Sequence, residues 1–276
     1  GRLAHGKIAV ELLIEKNFEK ARVVAEKIEK INLERRGIDQ SITKEALEMI
    51  DENKNSTVVF SENWHKGVVG IAASRLIETH YKPTIVLAEK DGKLTGSARS
   101  VKNFDLYNAL LKCEKYLEKF GGHMYAAGLT LKKENLEDFI IAFEKAVSSS
   151  ITQDQLTPEI SIDMELDLHD INNKLFRIIQ QFSPFGPKNH NPIFITKAVK
   201  DSGYGRLVGV EKSHLRLGII NKNSRISIGS IGFGLAHHFS KTKDGQTFDI
   251  CYSIDENVWN GKKNLQLKLR DIKVST

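Results

Sequence analysis

Hydrophobic positions change their rhythm twice along this chain. In the first stretch Ile8, Leu12, Leu13, Ala21, Val24, Ile28 and Ile31 recur at helical spacings through a charged background, which predicts one long helix over residues 5–36. Glu15, Lys16, Glu19 and Lys20 line its outer face. Gly37 is expected to break the helix, and Ala46, Leu47 and Ile50 to belong to a second one with Ser41 or Thr43 as its N-cap. The asparagine-rich stretch 51–56 reads as a linker.

From Thr57 short apolar runs alternate with helical patterns. Strands are predicted at 57–60, 84–88, 93–98 and 127–132, and helices at 68–79, 106–120 and 134–147. This is the order of an α/β domain. Serine-rich residues 148–150, running on to Pro158, form a linker. Beyond it period-two alternation dominates, with strands expected at 160–166, 192–200, 207–210, 214–220, 224–231, 247–254 and 265–272, and one helix over 171–182. Turns are expected at Asn221–Asn223 and at Asn260–Gly261. Short strands between such turns predict a small barrel. The fold class is therefore α/β plus all-β: connecting helices over 1–55, a mixed α/β domain over 56–150 and a barrel domain over 156–276.

Charge sharpens this division. The net formal charge is +6, and residues 197–276 alone carry 14 basic and 7 acidic side chains. The barrel is thus the basic part, which suits a polyanionic partner. No apolar run approaches the roughly 20 residues that span a bilayer, and no secretory signal is visible, so a cytoplasmic protein with no membrane partner is expected. Cys113 and Cys251 read as reduced, buried thiols. The chain begins with Gly1 rather than Met, as expected of a fragment or a processed form.

Four constellations could carry chemistry. Gly96-Ser-Ala-Arg-Ser100 sets a guanidinium between two hydroxyls beside a glycine, which suits phosphate oxygens; the alternative is an ordinary turn. Gly121-Gly-His-Met-Tyr-Ala-Ala-Gly128 follows a predicted helix, so its glycines fit a helix end while His123 could meet a phosphate. Trp64 to Leu76 reads as a loop entering a helix, with His65 and Lys66 either facing an anion or simply exposed. In the β-rich part aromatic residues interleave with lysines and arginines; most should be core, leaving Tyr204 and Trp259, near turns, free to stack on bases. Metal chemistry is poorly supported. His237-His238 lacks a carboxylate cluster nearby in sequence, and Asp163, Glu165 and Asp167 read as a solvated strand face.

Taken in order, these segments resemble the RecJ family of single-strand-specific 5′→3′ exonucleases. Gly1-Arg-Leu3 resembles the end of that family's Asn-Ala-Ala-Gly-Arg-Leu motif, and the helix with Asn32 and Arg35 resembles its connecting helix. Trp64 to Leu76, Ser97 to Ser100 and Gly121 to Gly128 resemble its DHH-associated domain. Pro184 to Phe194, Ser213 to Leu217, Ile231 to Gly234 and Leu265 to Ile272 resemble its oligonucleotide-binding (OB) barrel. One departure is Pro187-Lys-Asn-His-Asn-Pro192, where the family usually has Gly-Asn-Pro, so the loop after Phe185 is expected to differ in shape.

The resemblance implies that Arg2, Ser97 and Arg99 hold the 5′-terminal phosphate; Ser100, His65, Gly121 and Gly122 are expected as further substrate-binding residues. It implies that His123 contacts the phosphate near the cut. The barrel would grip single-stranded DNA in a groove too narrow for duplex, and single-strand-binding protein would be a partner. The family's Asp-His-His metal motif is not within these 276 residues. Mn²⁺ or Mg²⁺ is therefore expected in the full-length parent, no cofactor in this chain, and no nuclease activity from this chain alone. The alternatives are another DHH-superfamily phosphodiesterase, acting on oligoribonucleotides or small nucleotides, and a pure binding module.

Overall fold

The computed structural model describes residues 2–221, 226–243, 245–259 and 261–275, and the chain divides into two compact units, Gly1–Pro158 and Glu159–Thr276. The first unit opens with α1 (Lys7–Ile14) and α2 (Phe18–Glu48). The expected 5–36 helix is thus interrupted at residues 15–17, where Glu15 turns extended and Asn17 caps α2 by accepting from the Lys20 amide. Gly37, expected to break the helix, does not, and α2 runs on to Glu48. A glycine inside a helix costs about 1 kcal/mol relative to alanine, and burial of Ile42 and Ala46 along the same helix outweighs that. Neither Ser41 nor Thr43 is an N-cap. Both lie within α2, and the Ser41 hydroxyl donates to Glu45.

A five-stranded sheet follows. It contains β1 (Thr57–Ser61), β2 (Thr84–Lys90), β3 (Lys93–Arg99), β4 (Leu117–His123) and β5 (Ala126–Lys132), in the order β1-β2-β3-β5-β4. Only β1 and β2 run parallel, joined by α3 (Val69–Thr79) as crossover. One face of the sheet packs on α4 (Leu106–Leu111) and α5 (Leu136–Ser148) around Leu87, Leu94, Leu131, Phe139 and Phe143. The other packs on α2 and α3 through Ile42, Trp64, Ala72, Leu76, Val86 and Ala88.

The helix expected over 106–120 ends at Leu111, and residues 117–123 are β4. The cause is a bulge. The register against β5 slips between Leu117 and Lys119, so Leu117 and Phe120 both pack on the core although three residues apart. That spacing imitates a helix. Gly121 and Gly122 consequently sit inside a strand, not at a helix end.

The second unit contains β6 (Met164–Glu165), α6 (Asn173–Gln180), β7 (Phe194–Asp201), β8 (Arg206–Val208), β9 (His214–Ile220), β10 (Ile228–Gly232), β11 (Phe248–Trp259) and β12 (Lys262–Val274). The sheet order is β6-β7-β11-β12-β10-β9-β8, and β7 also pairs with β9 at Lys200–Ile220 and Asp201–Ile219. Five strands therefore close a ring, with β6 and β8 appended, which is the OB architecture. The strand expected over 160–166 shrinks to β6. The part of the expected 224–231 strand up to residue 225, and most of the Asn221–Asn223 turn, lie outside the described residues. In the core Tyr252 donates its hydroxyl to Thr196 (2.7 Å), which itself donates to the Leu166 carbonyl (2.8 Å). In the loop after Phe185, Asn189 donates to the carbonyls of Phe182 and Pro184 (2.8 and 3.0 Å) and pairs with Gly186.

Candidate functional site

In the first unit, alternation along β3 buries Leu94, Gly96 and Ala98 and turns Ser97 and Arg99 to the face on which α3 lies. The register continues that face outward. Ser97 lies opposite Gly128, which lies opposite Gly121; Arg99 lies opposite Ala126, which lies opposite His123. Between the Arg99 side and the His123 side the floor is almost bare. A Cβ at Gly121 would meet nothing within 4 Å, and one at Gly128 only the Gly96 carbonyl at 3.9 Å. The backbones carrying Arg99 and His123 are two strand spacings apart, about 10 Å.

Arg99 is half-buried and tightly held. Its Nε donates to the Ser74 hydroxyl (3.2 Å), and its Nη1 to the Ser97 hydroxyl and the Ala98 carbonyl (both 2.8 Å). Burial, and then the nearby charge of Arg2, lower its proton affinity from the ordinary guanidinium value. Arg2 donates to the Gly67 carbonyl (3.4 Å) in the loop entering α3, and a Cβ on Gly67 would run into the Arg2 carbonyl. Among the described residues neither guanidinium forms an ion pair. α3 starts beside them at Val69, with no side chain capping its first turn. Two repelling cations and two hydroxyls thus stand beside the start of a helix that no side chain caps, a set of groups that suits an anion.

The remaining expected residues fall at different distances from that cradle. His65 accepts from the Gly67 amide through Nδ1 (3.0 Å), which closes the loop against Arg2 and leaves Nε2 to carry the proton of the neutral ring. His123 is built alike, its Nδ1 accepting from the Tyr125 amide (3.2 Å) while the ring stays exposed. Gly122 (φ +156°) is crowded, and a Cβ there would lie 2.5 Å from the Ala127 Cα. Ser100 is not part of the cradle. Its hydroxyl donates to the Phe104 carbonyl (2.8 Å) and its amide to the Tyr125 carbonyl (3.0 Å).

In the second unit a groove of about 640 Å³ is lined by Arg206, His214, Arg216, Phe233, Asn257 and Gln266, among others. An adjoining one of about 380 Å³ shares Arg216, Asn257, Asn264 and Gln266 with it. Phe233 is 57% exposed. Its ring meets His214 edge-on (5.1 Å) and lies 5.7 Å from the Lys268 ammonium. Tyr204 is well exposed but does not line this groove. The Trp259 side chain lies outside the described residues. Sequence reasoning therefore passed over Phe233, whose flanking glycines at a strand end were the available signal, and the Asn257, Asn264 and Gln266 amides of the β11–β12 hairpin.

The carboxylates on and beside β6 are taken up in other contacts. Asp163 accepts from the Ile193 amide (2.9 Å), Glu165 pairs with Lys197 (2.7 Å), and Asp167 accepts from Asn221 (3.0 Å). Among the described residues no three His, Cys, Asp or Glu side chains converge as a metal site. These donors do not fit a divalent ion pair. Nor is any described helix long and apolar enough to cross a membrane.

Two family models match the chain: the DHHA1 domain over residues 53–149 and the RecJ OB domain over 162–271. The chain is 32% identical over 281 residues to the single-stranded-DNA-specific exonuclease RecJ of Bacillus subtilis, a match covering 100% of this chain and 35% of that protein. The protein of the same name from Haemophilus influenzae is 28% identical over 283 residues, covering 97% and 48%. The chain belongs to the RecJ family. It spans about a third to a half of the length of these RecJ relatives and corresponds to their C-terminal part. The crystal structure of RecJ from Thermus thermophilus in complex with Mg²⁺ has the same fold across 100% of this chain and 41% of that one (TM-score 0.81, 22% identity). A structure of exonuclease RecJ bound to manganese matches over 55% of this chain and 38% of that one (TM-score 0.50, 26% identity). With the RecJ OB domain present, the reading as a different DHH-superfamily phosphodiesterase is not favoured.

Proposed function

We propose that this chain is the substrate-handling part of a RecJ-type 5′→3′ exonuclease of DNA repair and recombination. It holds single-stranded DNA by the 5′-phosphate in the Arg2–Ser97–Arg99 cradle and along the strand in the groove of the second unit. The observation that carries this is the partly buried Arg99, fixed by Ser74 and Ser97 beside a second guanidinium, with no ion pair among the described residues. A terminal phosphate carries more charge than an internal one, about −1.5 to −2 at neutral pH, and offers three strong acceptor oxygens. It therefore gains most from such a cradle.

His123 would donate from Nε2 to a phosphate lying across the bare glycine floor. Phe233 would serve as a stacking platform, with Arg206, Arg216 and Lys268 facing the backbone. The exposed apolar side chains of Leu13, Ile14, Phe18 and Val23 on α1 and α2 suit packing against another part of the full protein. The Mg²⁺ or Mn²⁺ used by the parent would be held by residues outside these 276. Kinship alone suggests single-strand-binding protein as a partner and the cytoplasm as the place of action.

The test is equilibrium binding of 5′-phosphorylated, 5′-hydroxyl and duplex oligonucleotides to the 276-residue chain. The expected order is phosphorylated single strand, hydroxyl single strand, then duplex, with affinity falling steeply as salt rises. Equal affinity for single strand and duplex, or indifference to the 5′-phosphate, would overturn the reading.

A further inference from the structure

We propose that Ser74 and Gly70 of α3 set the preference for a terminal phosphate: Ser74 as a positioning residue for the Arg99 guanidinium, Gly70 by leaving the Arg99 Nη2 and Ser97 hydroxyl donors uncrowded. This rests on the 5′-phosphate reading above. The two residues are one helical turn apart and share the face of α3 that meets β3. The Ser74 hydroxyl donates to the Gly70 carbonyl (3.1 Å), so its proton is committed and a lone pair is left to accept from Arg99 Nε (3.2 Å). With Nη1 held by Ser97 and Ala98, the planar guanidinium is fixed at two of its three nitrogens. Its direction is then determined, and Nη2 is left with no partner among the described residues.

Nη2 is directed at Gly70. A Cβ there would lie 3.3 Å from Nη2 and 3.1 Å from the Ser97 hydroxyl. These are the two groups an incoming phosphate oxygen would meet, at the first turn of a helix that no side chain caps. A methyl group at position 70 would crowd both donors and push them out of the positions from which they would meet that oxygen. Without the Ser74 hydroxyl, Nε would lose its acceptor and the guanidinium, anchored at Nη1 alone, could pivot away from the direction that aims Nη2.

The experiment measures the ratio of affinities of the 276-residue chain for 5′-phosphorylated and 5′-hydroxyl single strands of one sequence, in phosphate-free buffer. Ser74→Ala and Gly70→Ala should each lower this ratio about tenfold, since a hydrogen bond to a charged group is at stake. Ser74→Thr, which restores the hydroxyl, should keep it. Because the first unit alone carries the cradle, its unfolding would also lower the ratio while the second unit went on binding the strand, so the ratio is read only on variants whose first unit keeps its circular dichroism and melting transition. Should Ser74→Ala fail to fold, Thr and Val at position 74, alike in volume and different in the hydroxyl, decide the same point. A ratio kept by Val as by Thr overturns the role of Ser74. A folded Gly70→Ala chain with its ratio intact overturns that of Gly70. A ratio of one in the unsubstituted chain strikes instead at the 5′-phosphate reading itself.

Discussion

Arg99 and His123 are registered on the same residue, Ala126, from opposite sides: one strand step separates each of them from it. Two groups distant in sequence are thereby held at a fixed separation by the stiffest element available, a hydrogen-bonded ladder. The residues between them are alanine and glycine, so the ladder is exposed where a ligand would lie.

The bare floor gives the first prediction. Gly121→Val places a β-branched side chain on a strand, where it is favoured, in a space with no neighbour within 4 Å. The thermal midpoint should therefore hold or rise. Affinity for 5′-phosphorylated single strand should fall by more than about tenfold, or 1.4 kcal/mol. Calorimetry and a binding isotherm on the same preparation read both quantities. Unchanged affinity in the folded variant would mean that the strand does not cross this face.

In the second unit the prediction concerns Phe233. Because it is well exposed, Phe233→Ala should leave the melting temperature nearly unchanged. Loss of one stacked base should cost about 1–3 kcal/mol of single-strand binding. Arg216→Ala should act differently, reducing the slope of log affinity against log salt by about one. If Phe233→Ala binds normally while Tyr204→Ala binds poorly, the stacking face lies away from the groove.

The sequence was most legible where its period was clean. Strands β3 and β9 follow plain alternation, β2 is one unbroken apolar run, and helices α3 and α5 keep plain helical spacing. It failed where two rules competed. Gly37 weakened a helix that tertiary burial at Ile42 and Ala46 then sustained, and the bulge in β4 gave Leu117 and Phe120 a helical spacing. For the site, Ser97, Arg99 and His123 could be named because each stands in an unusual local string. Ser74 and Gly70 could not, since a serine and a glycine in a helix carry no mark of what they face across a sheet. Phe233 was visible only as one aromatic among several; exposure, which sequence does not give, distinguishes it.

Burial makes the two cysteines poor nucleophiles. Cys113 and Cys251 are pushed up to about 11, in both cases chiefly by desolvation of the thiolate. Only the thiolate attacks, so at pH 8 neither should react with a disulfide reagent within minutes while the chain is folded. Both should react promptly in denaturant. Spectrophotometric titration with and without urea checks this, and a fast-reacting thiol in the native chain would contradict the packing around it.

The last prediction is a pH dependence confined to the second unit. His238 donates from Nε2 to Asp271 (3.0 Å) and accepts at Nδ1 from Lys241 (3.3 Å), an arrangement complete for the neutral ring. The groups facing it are His237, Asp271 and Lys241. Burial first, then the charges of His237 and Lys241, lower its pKa, against an opposing pull from Asp271. The folded value therefore lies below the unfolded one, about 6.5. On acidification the unfolded chain takes up this proton first, so the histidine's contribution is fully present above about pH 6.5 and is lost as pH falls below it. Hydrogen exchange at the β12 amides should accordingly report less protection at pH 5.5 than at pH 7.5, after correction for the intrinsic rate. His238→Gln, which cannot titrate, should show a smaller loss over the same interval whatever its absolute stability. A larger loss in the variant would mean that the folded protein, not the unfolded one, binds the proton more tightly.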